Sequence, residues 1–125
     1  MITLSNVSDK PIYEQITEQF KQLILQGQLV PGAALPSIRG LAKELKISTM
    51  TTKRAYEDLE REGFIETVAG KGSFVAKRNQ EFLREAVVTD VEKHLWKAIE
   101  IAKTANMTKT QLLDLVQLLM EEQRL

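Results

Sequence analysis

From Ile12 onward apolar residues recur at spacings of three and four: Ile12, Ile16, Phe20, Leu23 and Ile24. That spacing describes one face of an amphipathic helix. Pro11 suits its first turn, where a missing N–H goes unneeded, and Gly27 is a natural stop. The following LVPGAALP reads as a proline–glycine turn, with Val30 held extended ahead of Pro31. Ser37 then caps a short helix running through Leu41, Ala42 and Leu45. Lys46 and Ile47 make a turn. Ser48 caps a third helix ending at Gly63, with Thr52, Ala55, Tyr56 and Leu59 as its inward stripe. Two short helices joined by a tight turn, the second amphipathic, form the helix-turn-helix pattern.

After Gly63 the period drops to two. Residues 64–68 and 73–76 read as strands, with Ala69, Gly70, Lys71 and Gly72 as a glycine-rich hairpin turn between them. The predicted fold class is therefore mainly α with a small β-hairpin: a winged helix-turn-helix over residues 1–78, then a two-helix region over residues 79–125. Lys77, Arg78 and Asn79 form the polar joint. Beyond it Leu83, Val87, Val91, Leu95, Ile99 and Ala102 describe one long helix to about residue 104. Thr108 and Gln111 have the spacing of a capping box and open a last helix with Leu112, Leu115, Val116 and Leu119 inward.

Leu113, Leu118 and Met120 fall on other faces of that last helix. Such surplus apolar residues either cover the winged part of the same chain or meet a second copy. Two helices alone cannot form a core in so small a chain, which favours a homodimer. The candidate interface is Leu95, Trp96, Ile99, Leu113, Leu118 and Met120.

Composition narrows the chemistry. At 125 residues, 43% hydrophobic and 27% charged, the chain suits one compact domain or a small domain with an appendage. It has no cysteine, so no disulfide framework or thiolate metal site is available. A single histidine, His94, excludes the usual multi-histidine zinc arrangements. The N-terminal MITLSNVSDK lacks the basic and apolar regions of a signal peptide. No run of about 18 apolar residues could span a membrane, and a cytoplasmic location is the default expectation. Net charge is zero, yet residues 1–78 carry 11 Lys+Arg against 9 Asp+Glu, and residues 79–125 carry 6 against 8. What matters for a nucleic acid is whether the positive charges share a face.

The tip Gly70-Lys71-Gly72-Ser73 invites a comparison with phosphate-binding loops. A P-loop needs glycine, four residues, then Gly-Lys-Ser/Thr between a strand and a helix. Here Ile65 stands where the first glycine belongs, Gly72 follows the lysine, and a strand follows the turn. The remaining readings are a plain hairpin, or a wing that brings Lys71 and its backbone against phosphates or a minor groove. The lysine at the tip favours the wing. On the third helix Met50, Lys53, Arg54 and Glu57 point away from the inward stripe, and Ser48, Thr49 and Thr51 crowd the first turn. In a helix-turn-helix that turn enters the major groove, where its free N–H groups favour a phosphate and Lys53 and Arg54 supply charge attraction. The plainer reading makes Ser48 only a cap and the cations a solvated face; the wing just downstream tips the balance toward DNA.

Arg39, in the first turn of the preceding helix, either reaches the same groove or pairs with Glu44 or Glu62. The candidate DNA-binding set is Arg39, Ser48, Thr49, Met50, Thr51, Lys53, Arg54, Gly70, Lys71 and Gly72. Catalysis has no comparable support. Glu57, Asp58, Glu60 and Glu62 read as solvated acids able to pair with Lys53, Arg54 and Arg61 at helical spacings. His94 reads as a surface or interface residue and Trp96 as a packing aromatic. No nucleophile–base pair, metal cluster or cofactor fingerprint points to an enzyme.

PIYEQI, LPSIRGLAKEL, AYEDLEREGFIE and GKGSFV occur in that order. Together they resemble the DNA-binding domain of GntR-type bacterial transcription regulators over about residues 10–76. The resemblance implies a dimer whose winged domains bind operator half-sites. It also implies DNA contacts at Arg39, Ser48, Thr49, Met50, Thr51, Lys53, Gly70 and Lys71. Many members carry arginine where Thr49 stands, and a smaller polar residue often takes the place of Met50, so the resemblance carries over DNA binding and not which bases are read. The 47 residues after position 78 are too few for the family's larger ligand domains and resemble the short YtrA-type subfamily. That resemblance implies a C-terminal dimerisation unit and repression of a nearby transporter operon, with room for a small effector only at the dimer interface. The expected function is a homodimeric, sequence-specific repressor on an inverted-repeat operator in double-stranded DNA. The alternative is a winged-helix protein–protein interaction module without DNA binding.

Overall fold

The computed structural model of the chain describes residues 1–77 and 80–123. Arg78 and Asn79 of the expected joint, and with them the expected boundary between 78 and 79, lie outside the described residues. The elements run α1 (Ile12–Leu25), α2 (Ile38–Leu45), α3 (Thr49–Arg61), β1 (Ile65–Val68), β2 (Gly72–Val75), α4 (Gln80–Thr104) and α5 (Lys109–Gln123). The chain divides into two compact units, Met1–Arg84 and Glu85–Leu125.

In the first unit the sequence periodicities become a core. Ile16, Phe20 and Ile24 of α1, Leu41 and Ala42 of α2, and Thr52, Ala55, Tyr56 and Leu59 of α3 are all buried. Phe64, Ile65 and Val75 of the hairpin region and Leu83 from the first turn of α4 complete it. Phe20 meets Tyr56 edge to face, with ring centroids 5.8 Å apart. The Tyr56 hydroxyl donates to the Pro36 carbonyl at 2.7 Å. Burial pushes its ionisation well above the ordinary tyrosine range, so it remains a donor.

The caps fix where α2 and α3 begin. Ser37 Oγ accepts from the Gly40 N–H at 2.9 Å, and Ser48 Oγ accepts from the Thr51 N–H at 3.1 Å. Between them Lys46 takes the left-handed conformation, φ 57°, which turns the chain sharply into α3. Pro11 sits one residue outside its expected place. With ψ at 152° it is extended, so it caps α1 and its carbonyl accepts from the Glu14 and Gln15 N–H groups.

Two features of this unit depart from a plain reading of the chain. The LVPGAALP segment contributes more than a turn: Gly32 N–H donates to Val75 O, Val75 N–H to Ala33 O, and Leu35 N–H to Ser73 O, all within 2.9 Å. Ala34 thereby bridges Phe74 on the free edge of β2, giving the two-stranded wing a short third edge. At the N-terminus, Gln19 bonds both backbone groups of Thr3, at 2.9 and 2.6 Å. Gln15 likewise bonds both those of Ser5, at 2.9 and 3.1 Å, and also the Lys10 carbonyl. These two amides mimic a strand edge and hold the arm along α1, with Ile2 buried.

In the second unit the long helix closes through Asn106 in the left-handed region, φ 55°. The capping box forms in both directions: Thr108 N–H to Gln111 Oε1 at 2.9 Å, and Gln111 N–H to Thr108 Oγ1 at 3.1 Å. The apolar stripes of α4 and α5 exist but are largely uncovered in the single chain. Ala102 is buried, and Val87, Ile99, Leu112 and Val116 are half-buried. Leu115 and Leu119, expected inward, remain 42% and 51% exposed, and Val91 and Leu95 are similar. A helix pair offers no opposing layer wide enough to cover such faces.

Candidate nucleic-acid interface

The ten candidate residues all lie in the first unit, and nine are exposed, with Thr51 half-buried. On α3 this follows from the wheel: once Thr52, Ala55, Tyr56 and Leu59 are buried, Met50, Lys53, Arg54 and Glu57 must face solvent. Met50 is 79% exposed in the first turn of α3. The Ser48 and Thr51 hydroxyls bond each other at 2.8 Å, so Ser48 is tied into the cap while Thr49 stays clear beside it.

The wing is a tight antiparallel pair with Val68 opposite Gly72. Lys71 N–H donates to the Val68 carbonyl at 2.9 Å, closing a turn whose third residue, Gly70, has φ 78°. Positive φ at that place belongs to a type II turn, where glycine is favoured. Gly72 follows at φ 109°. A Cβ built on either glycine meets nothing within 4 Å, so conformation and not packing demands glycine here. Lys71 is left exposed between two bare backbone segments.

The acids of α3 and its C-cap Glu62 each have a partner. Asp58 pairs with Arg61 at 2.8 Å, Glu57 faces Lys53 at 3.9 Å, and Glu62 bonds Lys21 of α1 at 3.0 Å. Glu60 accepts the Thr67 hydroxyl at 3.2 Å. Arg39 forms no ion pair among the described residues, and Glu62, one of its two alternative partners, is bonded to Lys21 instead. Arg54 takes none of the acids at helical spacing. Its guanidinium lies over the ring of Tyr13, 3.7 Å from the centroid. Sequence spacing had not singled out Tyr13. A shallow groove of about 750 Å³ opens between Tyr13 and the outer face of α3 from Met50 to Arg61.

The sequence pattern described as bacterial regulatory proteins, gntR family, matches residues 12–75, which spans the three helices and the wing. The chain belongs to the GntR family. It is 41% identical over 95 residues to the transcriptional repressor YtrA of Bacillus subtilis, an alignment covering 76% of this chain and 73% of that one. YtrA from Sulfolobus acidocaldarius, a GntR-family transcription factor, superposes with a TM-score of 0.59 at 33% identity, covering 97% of both chains. The DNA-binding domain of AraR in complex with operator ORX1 matches 59% of this chain and 92% of that one, with a TM-score of 0.53 at 30% identity. The fold is thus the winged helix-turn-helix of GntR regulators followed by two helices, as in the YtrA-like members.

Of the six candidate interface residues in this GntR chain, Ile99 is half-buried and Leu95, Trp96, Leu113, Leu118 and Met120 are exposed. They do not share one stripe. Successive residues turn by about 100° along a helix, so Trp96 stands off the line of Val91, Leu95 and Ile99, in a shallow pocket with Lys93, Lys97 and Glu100. Leu113 and Met120 share one flank of α5 and Leu118 lies on the other. His94 is exposed, its Nδ1 2.8 Å from the Asp90 carbonyl one turn earlier. Among the described residues no group of three His, Asp or Glu side chains is placed to hold a metal, and no helix is long and apolar enough to cross a membrane.

Proposed function

We propose that this chain is a homodimeric repressor that reads an inverted-repeat operator in double-stranded DNA. Its first part, residues 1–78, binds the DNA, and residues 79–125 pair two copies. The observation that carries this reading is the exposed first turn of α3, with Met50 and Thr49 outward and free N–H groups at its end, backed by a wing whose tip is a glycine-flanked lysine. Thr49 and Met50 face base edges in the major groove, where a methionine side chain suits a thymine methyl. Ser48 and Thr51 hold the helix end against a phosphate, Lys53 and Arg54 face the backbone, and Arg39 reaches a base or phosphate beside them. Gly70, Lys71 and Gly72 lay the wing on the neighbouring minor groove. The operator-bound AraR domain and the repressor YtrA support the DNA and repressor parts of the reading. We further propose that the chain acts in the cytoplasm on a nearby transporter operon, without catalysis, and that any effector sits at the dimer interface.

Zero net charge and the acids between Glu57 and Glu62 would favour the interaction-module alternative. Each of those acids has a partner at the surface of the fold, whereas Arg39 and Arg54 near the first turn of α3 form no ion pair among the described residues.

Selection of bound duplexes from a randomised pool at near-physiological salt tests the proposal. An inverted repeat is expected, with half-site centres about one helical turn or a multiple apart. Recovery of no duplex by folded protein would sink the reading. Two substitutions sharpen it. Arg39→Ala should weaken binding to a half-site duplex by about 1–3 kcal/mol if it reads a base; unchanged affinity in a fluorescence titration would remove it from the site. Lys71→Ala should weaken all sequences alike and lower the salt slope by about 1 for each wing engaged. A loss confined to one sequence would contradict a phosphate role.

A further inference from the structure

We infer that Tyr13 is a positioning residue of the DNA interface, whose ring holds the Arg54 guanidinium free of carboxylates and aimed at a backbone phosphate. The inference rests on the operator reading above. Three observations lead to it. Arg54 has two acids within helical reach, Glu57 and Asp58, and forms an ion pair with neither among the described residues. Asp58 is instead bonded to Arg61 at 2.8 Å, and Glu57 lies toward Lys53. The guanidinium carbon of Arg54 sits 3.7 Å from the centroid of Tyr13, well inside the range of a cation–π contact.

That arrangement has a chemical consequence. A guanidinium stacked on a ring covers one flat face and leaves its in-plane N–H donors pointing outward at the edge. Those donors are the ones that grip a phosphate in bidentate fashion. Because α1 packs against α3, the ring is held by the scaffold and not by a loop. The stack therefore removes much of the rotamer freedom that a long exposed arginine would lose on binding. It also withholds Arg54 from Asp58, which would otherwise cancel its charge. The Tyr13 hydroxyl has no hydrogen-bond partner among the described residues, so the contact is made by the ring alone.

The test is a double-mutant cycle on a labelled duplex recovered from the selection, read by fluorescence anisotropy across a salt series, with the thermal midpoint of each variant recorded. Tyr13→Leu and Arg54→Ala should each weaken binding about threefold to tenfold. The double variant should be no weaker than Arg54→Ala, because Tyr13 acts only through Arg54. Tyr13→Phe keeps the ring and should bind like the parent. Should Tyr13→Leu unfold, Tyr13→Gln takes its place in the cycle. Losses that multiply in the double variant overturn the inference, as does a Tyr13→Phe loss equal to that of Tyr13→Leu, which would assign the hydroxyl a DNA contact of its own. Both leave the operator reading intact. A parent protein that binds no duplex overturns the operator reading, and this inference falls with it.

Discussion

Replacing Phe20 with alanine is expected to lower the unfolding free energy by about 3–5 kcal/mol, measured by urea denaturation followed by circular dichroism at fixed protein concentration. Phe20 is fully buried on α1 and its ring meets the edge of Tyr56 on α3. Tyr56 in turn bonds the Pro36 carbonyl ahead of α2, so one aromatic pair ties together three parts of the fold. Removing the ring takes away its transfer free energy and leaves a cavity that α1 and α3 can close only by moving. Domains of this size are stable by about 5–15 kcal/mol in all, so the variant should stand close to unfolding at 37 °C. It should also lose DNA binding in proportion, because the presentation of α3 depends on this contact. A loss below about 1 kcal/mol would mean that the site collapses without a cavity, and that Phe20 is not the pillar of the winged domain.

The same side chains show why so much of this fold was legible. Ile16, Phe20 and Ile24 repeat at helical spacing and are buried for that reason. Ser37 and Ser48 cap because a small hydroxyl before an apolar period has few other uses. Gly70 and Gly72 announce a turn because only glycine tolerates their dihedrals without strain. Contacts made through the backbone, or between residues distant in sequence, left no such trace. Ala34 pairs with Phe74 through main-chain groups that every residue carries, and Gly-Ala-Ala-Leu has no β-branched residue to mark an edge. Gln15 and Gln19 hold the N-terminal arm with amides that read as ordinary polar positions on a helix. The candidate site divides along the same line. Its solvent-facing positions on α3 followed from the buried stripe, whereas the partner of Arg54 did not, because Tyr13 meets it only once α1 has packed on α3.

Charge takes its meaning from the same folded context. A chain of zero net charge is a poor candidate for DNA by composition alone. The fold spends most acids of α3 on Arg61, Lys53, Lys21 and Thr67, while Arg39, Arg54 and Lys71 face outward without carboxylate partners among the described residues. Local imbalance at a presented surface, and not the sum over the chain, governs attraction to a polyanion.

The C-terminal helices pose the reverse question, since many of their apolar side chains stay largely exposed in the single chain. Eleven large apolar residues from Phe82 to Met120 are between 42% and 66% exposed in the single chain. A surface of that kind is retained when a partner covers it. On the reading proposed above, the partner is a second copy related by a two-fold axis, which would place each interface residue in the contact twice. Leu95→Asp should therefore act twice. At about 2 kcal/mol for each copy of a central apolar anchor, the dimer loses about 4 kcal/mol, close to a thousandfold in its dissociation constant. Sedimentation equilibrium over a range of concentrations should find the parent at twice 14.2 kDa and the variant at 14.2 kDa. The winged unit should stay folded, because Leu95 lies outside it, while some helicity of α4 and α5 should be lost as their shared cover is removed. Affinity for the full inverted repeat should fall toward that for a half-site, since two domains no longer share one binding event. Leu118→Asp tests the flank of α5 in the same way, and comparison of the two locates the centre of the contact. A parent protein that sediments at 14.2 kDa at every concentration would sink the dimer. It would also remove the reason for expecting a palindromic operator.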